Sequence, residues 1–406
     1  MIDRYSLIRF FAVGAKYLSI LAVPIIFVIE DVALFSLLLG AERFISFICS
    51  LEVHSYFNRR LIHRNYSIEY VNNQHLPIIS IGVMISFVFG IFYSIQMSIV
   101  YLFAYLMIIS ICGAIFNEMI RRAQALGKID IFSILSALKS ICLVIAMLFV
   151  FIYNNNNFLF FVQTFAFTSL TICFLSIYLF NYLCHFSYQK VFTKTINRRY
   201  LKAAFRTLNK FFIQGSVVFG LALLERMLIA NNYGFDMLGP HYAIQTLALS
   251  SLVLMDIFYW GPRYSEIILK LKDKKLSLFD SFRTYGFVIS LFQLFLLVSF
   301  LCVIYFLSII SVDWELIITN NIIWVVFNLF LIILIPIDTF ITYFLHSKRL
   351  DLVNTYSGLL GLLMIIIFYN SGVDAFFIPL GIVFYYLLSV FFKIFTNSLL
   401  SLRSSN

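Results

Sequence analysis

Residues 35–49 read FSLLLGAERFISFIC, thirteen uncharged residues around an adjacent Glu42 and Arg43. The same dipeptide returns as Glu225 and Arg226 in LALLERMLIA, residues 221–230, again inside an apolar run. Composition decides which solvent such runs meet. Of the 406 residues 62% are hydrophobic and only 12% are charged, and the mean hydropathy is +0.97. A soluble domain carries about 25% charged residues, so this chain cannot cover a water-facing surface. It belongs in a bilayer.

Apolar runs separated by polar breaks give twelve candidate membrane helices, since about 20 residues cross the hydrocarbon. They lie near 6–29, 33–54, 76–95, 98–117, 131–153 and 158–183, then 208–231, 240–260, 286–309, 322–345, 352–370 and 374–396. The basic lead and apolar start resemble a signal peptide. No small-x-small cleavage site follows, and Lys16 interrupts the core, so the first run reads as a retained helix. Alternate connections hold the basic residues: Arg59, Arg60 and Arg64; Arg121, Arg122 and Lys128; then residues 188–210, 261–283 and 346–350. The intervening connections contain no Lys or Arg. Lys and Arg stay on the cytoplasmic side, which predicts an all-α polytopic membrane protein with twelve transmembrane helices and both termini cytoplasmic. The net charge of +10 is then a solvated basic face beside anionic head groups, and no nucleic-acid partner is needed.

The longest basic connection, 184–207, separates an N-terminal six-helix lobe, residues 1–183, from a C-terminal one, residues 208–406. An offset of 204 residues aligns Glu52 with Asp256, Tyr56 with Trp260 and Arg59 with Arg263. That echo fits the internal repeats from which many transporters are built. Each basic-free connection is about ten residues or fewer, too short for an outer catalytic domain. There is no G-x-x-x-x-G-K-[ST] loop and no assembled nucleophile–base set. The six cysteines are dispersed without C-x-x-C spacing, and the histidines show no ligand spacing, so neither disulfides, metal nor cofactor is expected. A transporter is the stronger class and an enzyme the weaker.

The charges inside the spans carry the functional reading. A charge at mid-helix is unfavourable by about 2.5–3.5 kcal/mol on insertion scales and usually faces a bundle interior or an aqueous cavity. Arg9 is near enough to a helix end to snorkel, and Lys139, about two turns in, divides between snorkelling and the interior. Lys16, seven residues after Arg9, lies about 15 Å into the first helix at 1.5 Å per residue. Lys16, Arg43, Lys139 and Arg226 are the candidates for a cationic lumen that binds an anionic headgroup, above all a phosphate or pyrophosphate, for which Arg offers a two-pronged fork. Glu42, Glu225, Asp256 and Asp338 either balance those charges or carry a coupling ion, H+ or Na+. Neighbouring residues point about 100° apart on a helix, so neither Glu is well placed for its own Arg. Pro24 and Pro336 lie inside spans and provide bends.

Three stretches, SLIRFFAVGAKYLSILAVPIIF (6–27), EDVALFSLLLGAERFISFICSLEVHSYFNRRLI (30–62) and GLALLERMLIANNYGFDMLGPHYAIQTLALSSLVLMDIFYWGPRYSEI (220–267), resemble the Wzx-type O-antigen and polysaccharide flippases of the multidrug/oligosaccharidyl-lipid/polysaccharide exporter superfamily. In that family the seventh helix often carries an acidic–basic pair followed by an apolar LI, a short outer turn and a helix with an aromatic start. Glu225, Arg226, Leu228, Ile229 and Tyr242 match it here, with Glu225 where Asp is usual. The resemblance implies a V-shaped bundle of two six-helix lobes. It implies ion-coupled antiport of an undecaprenyl-pyrophosphate-linked oligosaccharide across the bacterial cytoplasmic (inner) membrane, with a polysaccharide polymerase and a chain-length regulator as partners. The competing readings are a multidrug exporter of the same superfamily, which should prefer an acidic lumen; a major-facilitator transporter, whose Gly-rich Asp–Arg signature LEVHSYFNRRLIHRN lacks; a polysaccharide polymerase, which needs a large outer loop; and a scaffold, for which so many deep charges are costly.

Overall fold

In a computed structural model of the chain, the residues described are 4–51, 67–153, 157–184, 198–255, 278–310, 312–344, 350–372, 374 and 377–404. They form helices and connecting turns, with no strand among them. In chain order the α-helices are α1 (Arg4–Ile26), α2 (Ile29–Ser50), α3 (Ile68–Gln96), α4 (Phe103–Ala125), α5 (Ile129–Ile152), α6 (Phe158–Cys184), α7 (Arg198–Tyr233), α8 (Phe235–Met255), α9 (Leu278–Ile310), α10 (Val312–Asn320), α11 (Ile322–Phe344), α12 (Leu350–Asn370) and α13 (Leu380–Ser404). A 3-10 turn, Val100–Leu102, leads into α4.

The described part of each of the twelve apolar runs read from the sequence lies mostly on one of these helices, and among the described residues seven helices are long and apolar enough by themselves to cross a membrane. The chain is a multi-pass membrane protein. The helices differ from the apolar runs mainly by extending into polar sequence. Helix α3 begins at Ile68, eight residues before its apolar run, where Ser67 accepts a hydrogen bond from the Tyr70 amide at 3.3 Å, a side-chain N-cap. Helix α4 continues past residue 117 to include Arg121 and Arg122, cations that suit the negative end of its dipole. Helix α7 takes in the basic residues from Arg198 onward. Hydrophobicity marks where a helix meets lipid. Backbone hydrogen bonding lets it run beyond that limit.

The chain packs as two compact units, Met1–Leu223 and Leu224–Asn406, divided within α7. In the first unit α2 packs on α3 and α4, α4 on α6, and α5 between α1 and α6. In the second, α11 packs on α8, α9 and α13, and α12 on α13.

Helix α3 shows why such packing suits lipid. Its small residues Gly82, Ser86 and Gly90 are buried, while Met84, Val88 and Phe92 are 64–71% exposed. Against hydrocarbon there is no gain in hiding apolar surface, so close backbone approach and hydrogen bonds hold the helices. Ser86 accepts from Cys49 Sγ at 3.1 Å and donates to the Ile45 carbonyl at 3.3 Å, and Tyr93 donates to the Leu37 carbonyl at 3.0 Å. A Cβ on Gly82 would collide with the backbone carbonyls of Ile48 and Cys49. Gly82→Val should therefore destabilise the protein by about 3 kcal/mol, the upper end for overpacking, because backbone cannot swing aside. Thermal unfolding of the purified protein in detergent checks this. An unchanged midpoint would mean that the two helices do not need the contact.

Candidate functional site

A cavity of about 170 Å³ lies wholly within the first unit. Five helices of that unit supply its polar lining: Lys16 from α1, Glu42 and Arg43 from α2, Asn117 and Arg121 from α4, Lys139 from α5 and Ser169 from α6. Ser46 and Ser50, one and two turns beyond Glu42 on α2, extend the polar strip, as a period of four on one helix face requires. Asn117 and Arg121 follow Gly113 on α4 at the same spacing.

Of these cations Arg121 is paired outside the lining, its Nη1 3.7 Å from Glu118 Oε1. Lys139 Nζ donates to Asn117 Oδ1 at 2.7 Å, which orients the ammonium without neutralising it. The Glu42 carboxylate accepts from Ser46 Oγ at 3.3 Å, and Ser46 also lies 2.7 Å from the Ser110 carbonyl. Gly113 makes room for this arrangement. A Cβ there would stand 2.6 Å from Glu42 Oε1 and 2.9 Å from Ser46 Oγ. Arg43, next to Glu42, also lines the cavity and is exposed. Four basic side chains thus face one carboxylate around a small space. Like charges repel strongly where water is scarce, so the arrangement favours an anion. The volume is below the roughly 300–1,000 Å³ of pockets that enclose a drug-sized ligand. It suits a headgroup rather than a whole lipid-linked sugar.

The second unit carries two buried polar clusters. In one, Glu225 and His241 are fully buried, with His241 Nε2 3.2 Å from Glu225 Oε1, and the His241 ring meets Trp324 edge-on at 5.0 Å. Arg226 donates to Gln245 at 3.2 Å and lies 5.2 Å over the Tyr242 ring, a cation–π contact. Adjacent residues thus find separate partners on α8. In the other, Lys393 on α13 donates to Asp338 Oδ1 on α11 at 2.7 Å. Ser389, one turn earlier, reaches the same oxygen at 2.6 Å and lies 3.3 Å from Asn354 Oδ1 on α12.

Of the residues expected from the sequence, Lys16, Glu42, Arg43 and Lys139 come together at the cavity. Glu225 and Arg226 lie in the α7–α8 cluster, and Asp338 is paired with Lys393. Asp256 lies outside the described residues. Asn117, Arg121, His241 and Lys393 escaped the sequence reading. Arg121 was read with the cytoplasmic basic residues, and only the extension of α4 brings it to the cavity. Its spacing of four from Asn117 was the available signal.

Sequence comparison finds no matching protein family and no matching curated protein. Among solved structures, the chain matches the inward-facing conformation of a multidrug resistance MATE family transporter of the MOP superfamily, with a TM-score of 0.59, 12% identity and 97% of each chain covered. The chain therefore has a MATE-like transporter fold.

Proposed function

We propose that the protein is a flippase. It carries an undecaprenyl-pyrophosphate-linked oligosaccharide, an O-antigen or related repeat unit, from the cytoplasmic to the outer leaflet of the bacterial cytoplasmic membrane by ion-coupled alternating access. Twelve crossings and cytoplasmic termini belong to this reading, as do a polymerase and a chain-length regulator as partners. One observation carries it: Lys16, Arg43, Arg121 and Lys139 surround a headgroup-sized cavity that holds a single carboxylate. A diphosphate is an anion of that size, and two guanidinium groups offer it paired donors. The transporter fold is shared with a multidrug transporter, and a cation cargo would want the opposite lining.

Depletion separates the two. Lipid-linked repeat units should accumulate on the cytoplasmic leaflet, and restoring the protein should restore surface polysaccharide. Normal surface polysaccharide with raised drug sensitivity would instead identify a drug exporter. Within the cavity, Arg43→Ala should lower translocation by about 10- to 100-fold, the equivalent of one hydrogen bond to a charged group at about 1.5–3 kcal/mol. Arg43→Lys keeps the charge without the fork and should fall between, at unchanged expression. Equal translocation by all three proteins would remove Arg43 from the site.

A further inference from the structure

We propose that His75 and Glu118 form a proton-binding site that sets, through Arg121, how strongly the cavity of the first unit holds an anion; this rests on the reading of that cavity as an anion site. His75 lies two turns into α3, and Glu118, Arg121 and Arg122 lie in the closing turns of α4, the helix packed against it. His75 and Arg122 are 2–3% exposed. Arg122 Nη2 is 2.9 Å from His75 Nδ1. A guanidinium only donates, so Nδ1 accepts, the ring proton sits on Nε2 and the imidazole is neutral. The same Nδ1 is 3.7 Å from Glu118 Oε2, while Glu118 Oε1 is 3.7 Å from Arg121 Nη1. Arg121 in turn lines the cavity. One carboxylate therefore stands between a histidine and a cavity cation.

Protonation of His75 changes both sides. The new proton goes to Nδ1, which can then no longer accept from Arg122. The imidazolium becomes a donor with a carboxylate already within ion-pair range. Glu118 is drawn to it, and its hold on Arg121 weakens. The cavity gains the pull of a guanidinium that Glu118 had partly neutralised, and one positive charge is added nearby. Histidine is the side chain whose charge ordinarily changes between about pH 5 and 8, which sets the range to test. Among the described residues, the other charged groups on the elements packed around α4 are Glu69 on α3, Lys139 and Asp130 on α5, and Glu42 and Arg43, with Glu30 and Asp31, on α2, while α6 carries none. Of these, Glu42, Arg43 and Lys139 share the cavity with Arg121. Arginine keeps its charge throughout, and comparing the His75 and Glu118 variants with the wild type over one pH range separates the proton site from the cavity lysines. A proton and an anion thus bind cooperatively, and by linkage each strengthens the other equally.

Sulfate is the probe, because it keeps its double charge across this range while phosphates do not. Sulfate binding to the purified full-length protein should tighten at least about fivefold between about pH 8 and about pH 5.5, within the usual span of coupling between two sites. Sulfate addition in weak buffer should take up protons. His75→Gln, which still offers Arg122 an acceptor, should bind more weakly than the wild type at about pH 5.5 and take up fewer protons. Glu118→Gln should bind more tightly than the wild type at about pH 8, because Glu118 no longer draws on Arg121; a merely structural role would weaken both variants. If His75→Gln fails to fold, the pH profile and proton uptake of Glu118→Gln against those of the wild type decide. Sulfate binding that depends on Lys139 but has the same pH profile in wild type and variants would overturn the proton site and leave the anion cavity standing. No sulfate binding at any pH would overturn both.

Discussion

Lys393→Met is expected to destabilise the protein by about 3–5 kcal/mol, the usual consequence of leaving one member of a buried ion pair without the other. Lys393 is 1% exposed and Asp338 is nearly as buried. Their 2.7 Å bond joins α11 to α13, and Ser389 and Asn354 extend the polar contact to α12. With the ammonium gone, the carboxylate must either remain charged in a poorly polarisable interior or take up a proton. The double variant Lys393→Met with Asp338→Asn should recover most of the loss, because the Asn side chain can still accept from Ser389 while no charge remains. Thermal unfolding in detergent measures both. A single variant as stable as the wild type would show that the pair does not hold these helices together. Translocation by a well-folded double variant would make Asp338 structural and remove it from the candidates for ion coupling.

Lys139→Glu should reduce translocation and sulfate binding by at least about 100-fold, or about 2.7 kcal/mol. The substitution removes a donor that Asn117 orients at 2.7 Å and adds a second carboxylate to a cavity that has one. Loss of a charge-assisted contact accounts for about 1.5–3 kcal/mol, and repulsion of the anion adds to it. Lys139→Arg should retain most of the activity, and Lys139→Gln should fall between. Folding is followed in parallel by size exclusion. Binding that is indifferent to the sign of the charge at residue 139 would place the anion elsewhere.

Several features of the site were legible in the sequence because depth along a helix is a one-dimensional property. Residues 35–49 place Glu42 and Arg43 deep in an apolar run, and the same holds for Lys16. Insertion of such charges demands a polar environment within the bundle, which marks the first two helices without any knowledge of packing. Lys139 came with the same argument, although snorkelling was an equal reading. Arg121 was not legible as a cavity residue. It follows polar sequence in which lipid no longer dictates where the helix stops, and α4 carries it four residues beyond Asn117 on the same face.

The membrane class, the positions of the apolar helices and the identity of the deep charges came from the sequence alone, because transfer into hydrocarbon depends on composition over a window and hardly on neighbours. The partner of each charge came only from the tertiary structure. Each residue turns about 100° around a helix axis, and the sequence does not state the direction in which a neighbouring helix lies. Glu42 and Arg43 face one cavity in company with Lys16 and Lys139. The matching Glu225 and Arg226 turn instead to His241, Gln245 and Tyr242 in a buried cluster. Two identical dipeptides in similar apolar runs therefore sit in different surroundings, because helix packing sets the azimuth of a side chain and apolarity does not.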